Sequence, residues 1–353
     1  MTQKIILGLD SFFDPTLPST GKMFEPQSTD LYWDEQDPGI YQNYKDLVSQ
    51  FWHASEVSLK SDKVDFADGK RMTDVRKELF FRAIAQLIIL DTVASKVTAR
   101  LTKIIRNAGA VALIDYQSSQ ETIHNESYTY ILSSLVSKEK VQEIKAAAKQ
   151  DPLVLASTMP IIHVFNSALL SKKDEEVTPM DVVKTCIAIA ALEGIRFTNG
   201  FVPFYKLNQD NLMQGVGTII QFINRDETKH SWGMVLIAKK IIEEYNLSLQ
   251  EVEEFTIKLY TKVVEAEKAL SDSFFADYPG MNTVQAKQYV EFRANSILGN
   301  LGFEQVFDTV RNPMRWITTY NSDKMGNKKT DFFEKRENDY KRVDKQEQGF
   351  DDL

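Results

Sequence analysis

The chain is 353 residues long, 43% hydrophobic and 26% charged, the proportions of an ordinary soluble globular protein. A formal net charge of -8 argues against broad nucleic-acid binding, and a single cysteine, Cys186, excludes a disulfide framework and a Cys-rich zinc or iron–sulfur site. The apolar start is too short for a signal peptide, and the greasiest run, Ala83 to Leu90, stops at Asp91, so a soluble, cytoplasmic chain with no membrane partner is expected.

Residues 1–35, rich in Pro, Ser, Thr and Asp, read as an extended arm. From Pro38 onward helical periodicity takes over, predicting helices at 38–54, 73–107, 114–136, 139–149, 152–171, 179–208, 211–245, 249–277 and 284–299. Breaks fall at Asp151-Pro152, Thr178-Pro179, Pro279-Gly280 and Asn312-Pro313, with Thr178 placed to cap a helix that has Pro179 at its first position. Several helices are unusually long and apolar on more than one face, as at Phe80, Phe81, Ile84, Leu87, Ile88 and Leu90. Such helices belong inside a bundle. The expectation is one all-α domain over residues 36–320, followed by a flexible tail, 321–353, dense in Lys, Asp and Glu.

Two of the four histidines stand three residues after a glutamate, in Glu121-Thr122-Ile123-His124 and Glu227-Thr228-Lys229-His230. On a helix, positions i and i+3 share a face, so each pair aims a carboxylate and an imidazole at one point. Asp91 and Glu193 each interrupt an otherwise apolar helix. Taken singly, either could be an ion pair with an arginine such as Arg196. Taken in order, carboxylate, Glu-x-x-His, carboxylate, Glu-x-x-His, they form the ligand set of a two-metal carboxylate site. Ferritin-like di-iron and di-manganese proteins carry that set, so the pattern matches a known template and a ferritin-like bundle is expected. Four carboxylates are neutralised by two divalent cations, and the oxygen-rich set suits iron or manganese.

The neighbours of these residues extend the pattern. Tyr128 follows His124 by one helical turn; Phe197 and Phe201 follow Glu193 at i+4 and i+8; Ile223 precedes Glu227 by four. The segments Ser119-Gln120-Glu121-Thr122-Ile123-His124 through Ser127-Tyr128-Thr129, Ala191-Leu192-Glu193-Gly194-Ile195-Arg196-Phe197, and Arg225-Asp226-Glu227 with His230 resemble the signatures of the class I ribonucleotide reductase small subunit. Upstream, Ser49-Gln50-Phe51-Trp52 followed by Glu56-Val57 adds to the likeness, which covers roughly residues 35–320.

That resemblance implies roles. Asp91, Glu121, His124, Glu193, Glu227 and His230 would hold two metal ions per chain, iron by preference, with manganese or a mixed pair as alternatives. Tyr128 would store a radical, shielded by Phe197, Phe201 and Ile223. Trp52 and Asp226, with His124, would carry the oxidising equivalent outward, and Tyr340 would relay it at the subunit boundary, with Tyr320 as a competitor. The partners implied are a second copy of the chain, the large reductase subunit docked by Phe350 to Leu353, and a flavoprotein activator if the metal is manganese. Asn125 and Glu126 depart from the usual pattern beside Tyr128. His53 and His163 are expected to be non-ligands, and Cys186 a small core residue. The rival readings are a ferritin-like dimetal oxidase or monooxygenase acting on a small organic substrate, and a metal-storage or purely structural bundle.

Overall fold

The computed structural model describes residues 21–24, 37–278 and 280–320. The tail 321–353, with Tyr340, and most of the arm lie outside the described residues. Among the described residues the elements are helical throughout: α1 Pro38–Ser49, α2 Lys60–Ala67, α3 Asp74–Leu101, α4 Ala108–Leu135, α5 Lys138–Ala148, α6 Pro152–Phe165, α7 Pro179–Ala191, α8 Thr198–Gly200, α9 Val202–Gln209, α10 Gln214–Glu244, α11 Leu249–Phe275 and α12 Thr283–Leu301. The expected all-α bundle is present.

Capping chemistry sets most of the starts. The Asp37 carboxylate accepts from Ile40 N at 3.0 Å ahead of α1, and Asp151 accepts from Leu153 N and Val154 N ahead of α6. Thr178 and Asp181 form a reciprocal capping box at α7, with Pro179 in the first turn. Asn107 caps α4 and starts it at Ala108, earlier than the predicted 114. The first predicted helix stops at Ser49 rather than 54, leaving Phe51 exposed and Trp52 buried before a short 3-10 turn, Ala54–Glu56.

Helix α2 was not expected, because its charged segment shows no apolar stripe. A long-range contact explains it. Asp62, fully buried, accepts from Gly215 N at 3.1 Å and Val216 N at 2.7 Å, filling the orphan donors at the start of α10. The residue before α10, Met213, is left-handed (φ 53°) and makes no side-chain cap of its own.

Helix α3 packs along α4 and α7 along α10; α11 lies against α6, α7 and α12, while α1 covers α4 and α10. The arm is pinned where it is described: Met23 is fully buried, its N–H donates to Glu244 Oε2 at 3.0 Å, and its carbonyl accepts from Arg106 N at 2.7 Å. One long apolar stretch was not noticed in the sequence. Helix α6 with the π turn after it, Pro152–Leu170, is long and apolar enough to cross a membrane. Ser157, Thr158 and His163 mask that length in the sequence, and the helix packs against α7 and α11.

The predicted helix 179–208 is not continuous. A π turn, Leu192–Phe197, interrupts it at Glu193, and α8 and α9 follow. Arg293 Nε donates to Gly194 O at 3.0 Å, and Thr198 Oγ1 donates to Gly194 O and Ile195 O, so side chains satisfy carbonyls in the widened turn. A Cβ on Gly194 would meet Ile297 Cδ1 at 2.5 Å and Ser231 Oγ at 2.6 Å, so any larger residue there would require both side chains to move.

Candidate metal centre

The four helical stretches α3, α4, the π turn and α10 each deliver ligands to one place. Asp91, Glu121, His124 and Glu227 bring ligand atoms within 4.8 Å of one another, and so do Glu121, Glu193, Glu227 and His230. Glu121 and Glu227 belong to both groups, so a pair of ions held there would share them. All six side chains are fully buried. His124 Nδ1 lies 2.9 Å from Glu227 Oε1 and 3.4 Å from Asp91 Oδ1; His230 Nδ1 lies 2.7 Å from Glu227 Oε2 and 3.3 Å from Glu121 Oε1.

Buried carboxylates without partners are costly, and this centre is full of them. Both oxygens of Asp91, both of Glu121, Oε2 of Glu193, Oε1 of Glu227 and Nδ1 of His124 make no hydrogen bond. Those orphaned atoms belong to the six side chains that converge, and oxygen donors with two imidazoles fit a pair of divalent cations. The alternative, an ion pair with Arg196, is excluded. Arg196 Nε donates to Glu267 Oε1 at 2.7 Å, and its other nitrogens donate to Thr158 Oγ1 and Ser157 Oγ.

The protonation pattern without metal follows from this crowding. Burial pushes Asp91 and Glu193 well above the carboxylate range, with neighbouring carboxylates adding to it. Burial also opposes the charge on Glu121, but the adjacent His124 and His230 imidazoles win and hold it at about 2. Against their own burial, the surrounding carboxylates, Glu227 foremost, raise His230 to about 9 and His124 well above its ordinary value.

The surrounding residues fall where the sequence spacing suggests. Trp52 Nε1 donates to Asp226 Oδ2 at 2.7 Å, that oxygen lies 3.4 Å from His124 Nε2, and the indole stacks on the His124 ring at 6.2 Å. Tyr128 is fully buried, its hydroxyl has no hydrogen-bond partner, and burial, then Asp91 and the other carboxylates, raise its pKa well above the ordinary value. Phe197, Phe201 and Ile223 are fully buried, with the two phenylalanine rings 6.0 Å apart. Tyr320 stacks on Tyr205 at 4.8 Å, while Tyr340 lies outside the described residues. Neither His53 nor His163 joins a ligand group. Two residues went unnoticed in the sequence, Gln117 and Gln120, which touch Glu193 and His230. The available signal was a pair of amides on the buried face of α4, four and one residues before Glu121.

Comparison with known proteins agrees with the geometry. The family model for the ribonucleotide reductase small chain matches residues 32–313. A ribonucleoside-diphosphate reductase subunit beta from Halalkalibacterium halodurans is 31% identical over 339 residues, 95% of each chain. Its counterpart from Treponema pallidum is 28% identical over 314 residues, 86% of this chain and 85% of the relative. The ribonucleotide reductase R2 subunit from Clostridium botulinum superposes with a TM-score of 0.81 at 25% identity, covering 90% of this chain and 99% of that one. With six candidate ligands converging and a match along most of its length, the chain belongs to the ribonucleotide reductase small-chain family.

Proposed function

We propose that this chain is the radical-generating subunit of a ribonucleoside-diphosphate reductase, cytoplasmic, homodimeric and active only with a large subunit. The observation that carries the reading is the pair of overlapping ligand groups that share Glu121 and Glu227. Bound there, two metal ions, iron by preference and manganese with a flavoprotein activator as the alternative, would supply one-electron oxidising power drawn from oxygen or a related oxidant.

The chain's own residues do the rest. The closed, apolar surroundings of Phe197, Phe201 and Ile223 keep water away. Tyr128, buried with its hydroxyl unpaired, is the phenol assigned to hold the oxidising equivalent as a neutral radical. Trp52, Asp226 and His124 form the hydrogen-bonded link by which the large subunit would borrow it, with Tyr340 and the C-terminal residues completing the route. An oxidase reading needs room for an organic substrate beside the ligands. The groove of about 650 Å³ between α6, α7 and α11, lined by Met159, His163, Val164 and Phe255, includes none of the six.

The test is reconstitution with ferrous iron and oxygen, then assay of ribonucleoside diphosphate reduction with and without the large subunit. Turnover only in the mixture supports the proposal. Oxidation of a small organic substrate by this chain alone, with none of that turnover, overturns it.

A further inference from the structure

The two ends of the centre are backed differently. Gln117 and Gln120, on α4, are 0% and 2% exposed. Gln117 Nε2 donates to Glu193 Oε1 at 3.2 Å, and Gln120 Oε1 faces His230 Nε2 at 3.0 Å. Glu193 and His230 are the two side chains that belong only to the second ligand group. The two that belong only to the first are Asp91 and His124. Neither Asp91 oxygen makes a hydrogen bond, and His124 Nε2 faces the Asp226 carboxylate that Trp52 also contacts. One end therefore rests on two neutral amides, the other on an anion.

Each amide has a definable task. A histidine that ligates through Nδ1 keeps its lone pair there and its proton on Nε2. An acceptor opposite Nε2 then fixes the tautomer and the plane of the ring, and Gln120 Oε1 is that acceptor for His230. At Glu193, the Gln117 N–H occupies Oε1 and leaves Oε2, buried and without a partner, free to ligate. Gln117 keeps its own carbonyl unpaired although the side chain is fully buried. That arrangement is costly. An apolar side chain would pack there at less cost, so the donated hydrogen bond is what the glutamine contributes.

We propose that Gln117 and Gln120 are positioning residues for the second metal position alone, setting its affinity independently of the first. The inference rests on the two-metal reading of the centre.

Its test is titration of the metal-free, full-length protein with Mn(II), followed by the EPR signals of free, isolated and coupled ions. Wild type takes up two ions as a coupled pair. Gln117→Met and Gln120→Met, which keep the volume and lose the polar contact, should weaken one equivalent by roughly ten- to hundredfold and leave the other in place. At intermediate metal, an isolated-ion spectrum then replaces the coupled one. Gln120→Glu restores an acceptor and should restore the pair; Gln117→Glu offers no donor and should not. Circular dichroism of the metal-free variants checks their fold, and if a Met variant is unfolded the two Glu variants carry the comparison. Equal weakening of both equivalents, or no weakening, overturns the inference. A wild-type protein that binds fewer than two ions overturns the two-metal reading itself, which separates the two failures.

Discussion

Trp52 and Asp226, 174 positions apart in the chain, are joined by a 2.7 Å hydrogen bond from the indole nitrogen to a carboxylate oxygen that also faces His124. Arg225 holds the other carboxylate oxygen at 3.3 Å and is itself tied to Gln50 O at 2.6 Å. The carboxylate is thus fixed from both sides, between the buried Trp52 indole and the His124 ring of the candidate centre. Removing the indole N–H should leave metal content intact and interrupt the link. Trp52→Phe is expected to retain two metals and to lose turnover with the large subunit by at least roughly tenfold, the scale of losing a partner just outside a metal site. Wild-type turnover in that variant would show that the link is not used.

The Arg196–Glu267 pair joins the π turn to α11 with no solvent access, and Asn199 Nδ2 adds a 2.8 Å contact to Glu267 Oε2. A single truncation strands the other charge. Arg196→Met should cost about 3–5 kcal/mol in denaturant-induced unfolding, whereas Arg196→Met with Glu267→Leu should cost much less. A double variant no better than the single would contradict this description of the network.

Metal removal should make stability depend on pH with a definite sign. The folded, metal-free protein keeps His230 protonated up to about 9, and His124 is raised as well, whereas the unfolded chain releases those protons near the ordinary value of 6.5. A raised folded value stabilises fully below the unfolded one and is lost as pH rises toward the folded one. The metal-free melting temperature should therefore fall between pH 6.5 and 9, with the raised Asp91 and Glu193 acting in the same direction. Loading at pH 7 should release protons, measurable by calorimetry in buffers of different ionisation enthalpy. A metal-free melting temperature that rises across the window would contradict the assignment.

The proposed role of residues 321–353 in docking the large subunit makes a separate prediction. Deleting everything after Asn338 should leave metal and radical content unchanged and abolish turnover with the large subunit. Turnover that survives the deletion would remove Tyr340 and the terminal residues from the proposed route.

What the sequence made legible was local. Glu-x-x-His spacing puts two ligands on one helical face wherever the helix goes, and Asp91 and Glu193 stand out because charge is rare in an apolar run. Contacts between distant segments were not legible. Nothing near Arg196 points to Glu267, 71 positions on, and nothing near Asp62 points to the start of α10. Periodicity also cannot see a single widened turn, so 179–208 read as one helix although Glu193 sits in a π segment. Gln117 and Gln120 were passed over because an amide on a helix is unremarkable until its buried partner is known.

The most direct measurement is electron paramagnetic resonance of the purified chain after loading with metal and oxidant, alongside Tyr128→Phe. A tyrosyl signal in the wild type, with two metals bound to each protein, and no such signal from the variant at equal metal content is the expected result. A signal of the same shape in both, or a wild-type chain unable to bind two metals at Asp91, Glu121, His124, Glu193, Glu227 and His230, would contradict it.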